Sequence, residues 1–164
     1  MKKNTSKAVQ ALIELKKKNW KKENPNRPDY LMPSFKYDEC TANGLTSCII
    51  DFLNVTDGCH AERISNEGRT IDTRKTVTNV VGQVRQIGSI KRIKSSMQLG
   101  TADISATILG RSVKIEVKIG KDRQSDDQKK YQKQIENARG YYVIARDFQS
   151  FFDWFNCKYP KTNE

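Results

Sequence analysis

The most constraining feature of this sequence is a pair of β-branched segments separated by a short glycine turn. Residues 101–108 and 112–119 are rich in Ile, Val and Thr, and residues 109–111 connect them. Such segments favour strands, and a short connection containing glycine favours antiparallel pairing, so the sequence predicts a β-hairpin. Folding about this turn places Asp103 opposite residues 116–118.

The hairpin gathers charged side chains that could hold a metal ion. Side chains two apart in a strand share a face, so Glu116 and Lys118 lie together, and Asp103 adds a second carboxylate. A divalent cation such as Mg²⁺ is commonly held by one or two carboxylates together with substrate phosphate. The predicted ligands are Asp103, Glu116 and the backbone carbonyl of Val117. Gly100 leaves room for a backbone or a phosphate to approach.

Lys118 would complete the chemistry of phosphodiester cleavage. It could orient or deprotonate the attacking water, or stabilise charge on the phosphate as a fixed cation. The metal would polarise the phosphodiester and help to generate hydroxide. The plainer interpretation is a charged strand face turned to solvent, because a Glu-x-Lys sequence is common.

Composition indicates one domain with an affinity for polyanions. The chain has 164 residues, of which 36% are hydrophobic, and this is enough for a single core. Its 30 Lys and Arg against 19 Asp and Glu give a net charge of +11. Such a charge attracts nucleic acid, although solubility is the alternative explanation.

Cysteine usage and hydropathy favour a cytoplasmic protein. We expect it neither to associate with a membrane nor to bind a small-molecule cofactor. No apolar run approaches the roughly 18 residues needed to span a bilayer, and the Lys-rich start does not resemble a signal peptide. The four cysteines, Cys40, Cys48, Cys59 and Cys157, lack the paired spacing of a structural zinc site. We expect them to be buried or half-buried free thiols in a reducing compartment.

The remaining periodicity predicts an α/β sandwich. Helices are predicted at residues 5–22, 41–54, 125–139 and after Asp147, and short strands at residues 59–64 and 141–145. Ser125 and Gln128 form a capping-box pattern at the start of the third helix. The final aromatic cluster is expected in the core.

The N-terminal part is expected to be an appendage, with residues 1–36 forming a basic helix and a proline-containing tether and residues 37–164 forming the main domain. The helix could pack on the domain through its apolar stripe or contact a phosphate backbone as a basic arm.

Residues 65–94 give little secondary-structure signal but a clear charge. The basic residues of this segment are Arg69, Arg74, Lys75, Arg85, Lys91, Arg92 and Lys94, and from residue 69 onward its only acid is Asp72. We predict a glycine-punctuated loop that grips a nucleic-acid strand and becomes ordered on binding, with an ordinary flexible insertion as the alternative.

The residues around the hairpin also match a known pattern. In chain order they are Gly100-x-x-Asp103, Ile115-Glu116-Val117-Lys118, Gln124 and Ser125-x-x-Gln128. This pattern resembles the PD-(D/E)XK nuclease superfamily, in particular its VRR-NUC branch, which is similar to phage and archaeal Holliday-junction resolvases. The resemblance covers about residues 41–155 and is specific over about residues 95–140.

The resemblance implies a restriction-endonuclease-like α/β sandwich, with a mixed central sheet flanked by helices. It also implies Mg²⁺ or Mn²⁺ bound by Asp103 and Glu116, a catalytic Lys118, and Gln128 supporting the site from its helix. Arg63 resembles an arginine often found near the end of the preceding strand, where it could contact phosphate or form a surface salt bridge. Such proteins are often homodimers that act on branched DNA, and many come from phages or prophages.

The sequence departs from this pattern at two places. Members of the family usually carry a Glu in the first core helix, where this chain offers Asn43 or Asp51 as substitutes. Thr101-Ala102 precedes Asp103 in place of the proline that gives the motif its name. The choice between Asn43 and Asp51 stays open at the level of sequence.

Three functions are consistent with these observations. The first is a metal-dependent endonuclease that hydrolyses DNA, with branched DNA among its candidate substrates, in a bacterial or phage-infected cell. The second is a non-catalytic nucleic-acid-binding module on a nuclease fold. The third is a nuclease subunit that needs a partner. DNA and RNA are not distinguished by the sequence.

Overall fold

The computed structural model describes residues 6–65, 68–93 and 98–160. Its helices are α1 (Lys7–Glu23), α2 (Ala42–Asn54), α3 (Asp126–Asn137) and α4 (Phe148–Lys158), with a short 3-10 helix at Asp29–Leu31. Its strands are β1 (Cys59–Arg63), β2 (Arg69–Asp72), β3 (Lys75–Thr78), β4 (Val84–Ile87), β5 (Ile90–Ile93), β6 (Ile104–Ile108), β7 (Arg111–Val117) and β8 (Tyr141–Ala145).

The central sheet has four strands in the order β1-β6-β7-β8. The first three strands are antiparallel neighbours, whereas β7 and β8 are parallel, so the sheet is mixed. This confirms the predicted mixed α/β class, the helix that follows the hairpin and the final strand and helix.

The main core lies between one face of this sheet and three helices. Val113 and Ile115 of β7 are fully buried in one cluster with residues of α2 and α4. Leu12 of α1 is buried in the same cluster, so this basic helix packs through its apolar stripe. The aromatic residues of α4 belong to the core as predicted, because Phe148, Phe151 and Phe155 are buried there.

Helix α3 covers the opposite face of the sheet. Its Tyr131 packs edge-on against Tyr142 of β8, with the ring centroids 6.3 Å apart. Since side chains alternate along a strand, Tyr142 and Glu116 lie on the face opposite to Ile115 and Val143. The sheet therefore separates an apolar layer from a layer that contains the predicted site.

The hairpin between β6 and β7 has a tighter turn than predicted. Ile108 pairs with Arg111, which leaves two residues in the connection, Leu109 and Gly110. Both have positive φ, of 47° and 76°, as a type I′ turn requires. Arg111 therefore belongs to β7 and not to the turn.

The prediction of a loop at residues 65–94 is wrong for the described part of that segment. Strands β2 and β5 pair with each other, and so do β3 and β4, to form a two-stranded ribbon over residues 69–93. We call these residues the arm. Almost every residue of the arm is exposed, so the alternation of buried and exposed side chains that marks a strand in the sequence is missing.

Two smaller expectations concern the cysteines and membrane association. All four cysteines are free thiols, as predicted, but the expected burial holds only for Cys48 and Cys59. Cys40 and Cys157 are exposed, because neither lies on a core-facing position of its segment. Within the described ranges, no helix combines the length and the apolar character needed to cross a membrane.

Candidate active site

The N-terminus of α3 places Gln128 against the hairpin. Ser125 accepts a hydrogen bond from the backbone N–H of Gln128, and the side chain of Gln128 accepts one from the N–H of Ser125 at 2.9 Å. This is the predicted capping box. The amide nitrogen of the same Gln128 side chain donates a hydrogen bond to Oε1 of Glu116. The helix cap therefore fixes the orientation of a residue that contacts the predicted metal ligand.

Gly100 allows the segment before Asp103 to meet the first turn of α3. Its φ is 78°, and an added Cβ would lie 2.6 Å from the backbone nitrogen of Gln128 and closer still to the carbonyl of Asp127. The close approach expected at Gly100 is thus made by the backbone of α3. A glycine is needed both for the conformation and for the space.

Asp103 lies just before β6, at the end of the hairpin that carries Glu116. Its Oδ2 accepts a hydrogen bond of 2.8 Å from the backbone N–H of Val117, and its carbonyl accepts one from Ile64. In a strand the N–H and C=O of one residue point to the same side. The carbonyl of Val117 is therefore turned toward the side of Asp103, as the predicted ligand set requires.

Glu116 and Lys118 form a buried ion pair on the α3 side of the sheet. Their side chains are 2% and 8% exposed, and Nζ of Lys118 lies 3.1 Å from Oε1 of Glu116. The same ammonium lies 3.3 Å from Oδ2 of Asp122. The hydroxyl of Tyr142 donates to the other oxygen of Glu116 at 3.3 Å. Both oxygens of Glu116 are thus held by protein donors.

The electrostatics of this cluster follow from burial and from the nearby charges. Burial, followed by repulsion from Asp103, raises the pKa of Glu116 above its ordinary value. Burial alone would lower the pKa of Lys118, but the hydrogen bonds and charges of Glu116 and Asp122 outweigh it and raise that pKa. The ammonium of Lys118 therefore stays protonated between its two carboxylates.

The donor set of the cluster fits a hard divalent cation such as Mg²⁺ or Mn²⁺. Two carboxylates and one carbonyl are oxygen ligands, and Mg²⁺ usually keeps several waters and needs only one or two carboxylates from the protein. Repulsion between Asp103 and Glu116 is what a cation would relieve. Over residues 6–65, 68–93 and 98–160, however, no group of three acidic, His or Cys side chains comes together as a metal cluster.

Asn43 and Asp51 of α2 are the candidates to replace the Glu that the nuclease family carries in its first core helix. Neither of them contacts this cluster. Asn43 accepts a hydrogen bond of 2.8 Å from the guanidinium of Arg63. Asp51 accepts one of 2.6 Å from Tyr37 and forms an ion pair of 3.4 Å with Lys16. The carboxylate of Asp51 is therefore committed to α1 and to the segment before α2, whereas Asn43 lies at the end of β1 that neighbours Asp103.

The predicted nucleic-acid-binding residues that the structure describes lie in two places, at the end of β1 and on the arm. Arg63 is exposed at the end of β1, and Lys94 lies outside the described residues. The others lie on the arm, and they are Arg69, Arg74, Lys75, Arg85, Lys91 and Arg92. Arg74 is paired with Asp72 through hydrogen bonds of 2.9 and 2.6 Å, so it is already neutralised within the arm.

Two residues of the cluster were not predicted from the sequence. Tyr142 contacts Glu116 because β8 pairs in parallel with β7, with Ile144 opposite Glu116. This register depends on how α3 returns the chain to the sheet, which local sequence does not reveal. Asp122 follows Lys118 by four residues in a loop, where that spacing carries no helical meaning.

Comparison with known proteins adds no relative to this picture. No protein-family model matches the sequence, and no curated protein is significantly similar to it. The resemblance to nucleases therefore rests on the sequence motif, and the comparisons neither add to it nor replace it.

Proposed function

We propose that this protein is a metal-dependent endonuclease of the PD-(D/E)XK type that hydrolyses phosphodiester bonds in DNA. The carrying observation is that Asp103 accepts a hydrogen bond from the backbone of Val117, beside the buried ion pair of Glu116 and Lys118, at one end of the β6–β7 hairpin. Gln128, from the capped start of α3, joins the same cluster. A charged strand face turned to solvent would not bury Glu116 and Lys118.

Asp103, Glu116 and the carbonyl of Val117 would hold the cation. A bound Mg²⁺ or Mn²⁺ supplies positive charge beside the phosphate and lowers the pKa of water. The two carboxylates orient that charge, and the buried position of Glu116 strengthens every electrostatic interaction there.

Lys118 acts in this proposal as a fixed cation. Its ammonium lies between Glu116 and Asp122 and is held protonated by them, which favours stabilisation of phosphate charge over removal of a proton from water. Gln128 and Tyr142 are positioning residues, because each donates a hydrogen bond to Glu116 and limits its rotation.

Cleavage assays with matched variants test the proposal. Asp103→Asn and Glu116→Ala are expected to abolish Mg²⁺- or Mn²⁺-dependent cleavage of linear, flapped and four-way DNA. Asp57→Asn, an exposed acid at the opposite end of the sheet, is the control and should cleave like the unaltered protein. Unchanged cleavage by folded Glu116→Ala protein would exclude this site.

A non-catalytic nucleic-acid-binding module is the second candidate. It is favoured by the absence of a third acidic ligand among the described residues and by the protein donors that occupy both oxygens of Glu116. This function predicts salt-sensitive DNA binding and no heat of Mn²⁺ binding in calorimetry. Mn²⁺ binding that disappears in Asp103→Asn would argue for the nuclease instead.

A further inference from the structure

The arm is one continuous β-ribbon and not two separate hairpins. Arg69 pairs with Ile93 at its base, and Thr78 pairs with Val84 near its tip. Between the two strand pairs, the N–H of Thr73 donates to the carbonyl of Ser89 at 3.0 Å, which keeps the same register. At about 3.3 Å per residue, the ribbon from residue 69 to its tip is at most about 35 Å long.

One face of the arm combines positive charge with apolar surface. In several cross-strand pairs, which share a face, one partner is a cation and the other an aliphatic side chain. These pairs are Arg69 with Ile93, Ile71 with Lys91, Lys75 with Ile87, and Val77 with Arg85. Because Arg74 neutralises Asp72, the remaining charges of the arm are all positive.

The tip of the arm presents two aliphatic side chains to solvent. The side-chain oxygen of Asn79 accepts hydrogen bonds from the N–H groups of Val81 and Gln83, and the N–H of Asn79 donates to the carbonyl of Gln83. This turn is closed by Gly82 in a positive-φ conformation. Val80 is fully exposed and Val81 is 78% exposed, so the preformed turn holds both side chains away from the ribbon.

The arm leaves the sheet at the end that carries the catalytic cluster. It is inserted between Arg63, the last residue of β1, and Ile104, the first residue of β6, and these two residues pair directly. Asp103 immediately precedes Ile104. The chain from Arg63 to Arg69 spans at most about 20 Å even when fully extended, so the base of the arm lies near the site.

We propose that the arm binds duplex DNA beside the scissile phosphate, with the ribbon in a groove and the Val80–Val81 tip against the base pairs. A major groove admits a two-stranded β-ribbon, and an arm of at most about 35 Å can extend along no more than about one helical turn of about 34 Å. The cations of that face lie on both strands, so each strand could reach the phosphates along one border of the groove. Apolar side chains inserted at base steps are a known way to bend or unstack a duplex.

A second copy of this chain is a poorer partner for the arm than DNA. Two arms would bring together surfaces of the same positive sign, whereas DNA supplies the complementary charge. The inference rests on the proposed function, because the duplex on the arm is taken to be the substrate. It goes further by making double-stranded DNA, and not a single strand, the class of substrate.

Binding measured without cleavage tests the arm. Fluorescence anisotropy in EDTA would follow the full-length protein on a linear duplex of several turns, over a series of salt concentrations. Lys75→Gln with Arg85→Gln is expected to weaken binding roughly tenfold and to reduce the slope of log K against log salt by about two. Arg111→Gln with Lys158→Gln is the matched control, because both cations contact Tyr141 at the opposite end of the sheet.

The same experiment contains the results that would overturn the inference. Equal weakening by the arm pair and by the control pair would mean that binding depends on overall charge. The same titrations are made with single-stranded DNA and with duplex RNA. If the arm variant weakens binding equally for duplex and single-stranded DNA, the arm does not bind in a groove. If the weakening is greater for duplex RNA, the partner of the arm is RNA and not DNA. If the arm variant changes its oligomeric state in sedimentation while its DNA binding is unchanged, the arm contacts a second copy of the chain and not DNA.

The tip has its own measurement. A duplex containing 2-aminopurine is expected to gain fluorescence when the protein unstacks a base step, and Val80→Ser with Val81→Ser should remove that gain while the salt slope stays unchanged. Fluorescence that is identical in the two proteins would exclude base contact by the tip.

The two proposals can fail separately. Loss of duplex binding in the arm variant is measured in EDTA and needs no cleavage. If Glu116→Ala showed that the nuclease proposal is wrong, duplex binding by the arm would stand, and only its position beside a scissile phosphate would fall. Conversely, if cleavage requires Glu116 but is unchanged in the arm variant, the proposed nuclease function is supported and the proposed role of the arm in substrate binding is excluded.

Discussion

The side-chain amide of Gln128 donates a hydrogen bond to Oε1 of Glu116, which joins the first turn of α3 to β7. The same side chain closes the capping box of α3 through its oxygen. One residue therefore serves both the stability of a helix end and the orientation of a predicted metal ligand. The oxygen of the side chain serves the helix cap and its nitrogen serves Glu116, so a substitution can remove one role and keep the other.

Gln128→Glu should keep the cap but lose the donor to Glu116. Glutamate suits the third position of a capping box, yet it would place a carboxylate beside Glu116. In EDTA we expect the free energy of unfolding to fall by about 1–3 kcal/mol, with part of the loss recovered by Mn²⁺. Urea unfolding with and without Mn²⁺ measures this, and Gln134→Glu, exposed on the same helix, is the control. Equal effects of the two substitutions would contradict the prediction.

Lys118→Gln is expected to reduce cleavage at least about a hundredfold while Mn²⁺ binding persists. The reason is that, in the proposed mechanism, Lys118 supplies charge to the phosphate and is not a metal ligand. Lys114→Gln is the matched control, since Lys114 lies on β7, on the face that carries Glu116, and its ammonium donates a hydrogen bond of 2.6 Å to Ser105. Cleavage assays combined with Mn²⁺ calorimetry separate the two effects. Loss of metal binding in Lys118→Gln would mean that the residue only supports Glu116.

The raised pKa of Glu116 predicts a pH dependence of stability without metal. A carboxyl whose pKa is higher in the folded state binds more protons there than in the unfolded chain. The contribution of Glu116 to the free energy of unfolding is fully present below the pKa of the unfolded chain, near 4.5. It is lost as pH rises through the higher pKa of the folded state. The stability of the unaltered protein relative to Glu116→Gln should therefore fall as pH rises over this window. Unfolding in EDTA at several pH values measures it, and a difference that rises with pH would be contrary to it.

Asp51→Asn should leave cleavage unchanged and cost about 1 kcal/mol of stability. Its carboxylate accepts from Tyr37 and pairs with Lys16, so it is not available to a metal. Cleavage rates and thermal unfolding together test this. A loss of activity in a stable Asp51→Asn protein would show that Asp51 completes the metal site after all.

Gly100→Ala should destabilise the protein much more than Gly110→Ala. Both glycines have positive φ, but a Cβ at Gly110 meets nothing within 4 Å, whereas one at Gly100 meets the backbone of α3. We expect about 1 kcal/mol for Gly110→Ala and about 3 kcal/mol or more for Gly100→Ala. Denaturant unfolding of the two variants isolates the backbone contact. Similar losses would mean that strain alone accounts for both.

The hairpin and the capped helix could be predicted because their signals are local. A β-branched run, a glycine turn and the Ser125–Gln128 spacing each report on a few neighbouring residues. The meeting of Asp103 with Glu116 follows from hairpin register alone, and for this reason the centre of the candidate site was predictable.

The arm could not be predicted because it buries almost nothing. A strand is usually recognised by apolar residues on alternate positions, and here the aliphatic residues of one strand face cations of the other. Only the pairing of the two strands reveals the pattern. Tyr142 was missed for a related reason, since its contact with Glu116 depends on a parallel register set by α3.

The place of the arm within the fold also bears on how such a protein could diversify. β1 and β6 are already paired where the arm is inserted, and no described residue of the arm belongs to the buried core. A short turn could replace the arm without opening the core, and another ribbon could be grafted in its place. If both proposals hold, substrate preference and the chemical step are encoded in parts of the chain that can be exchanged independently during evolution or by design.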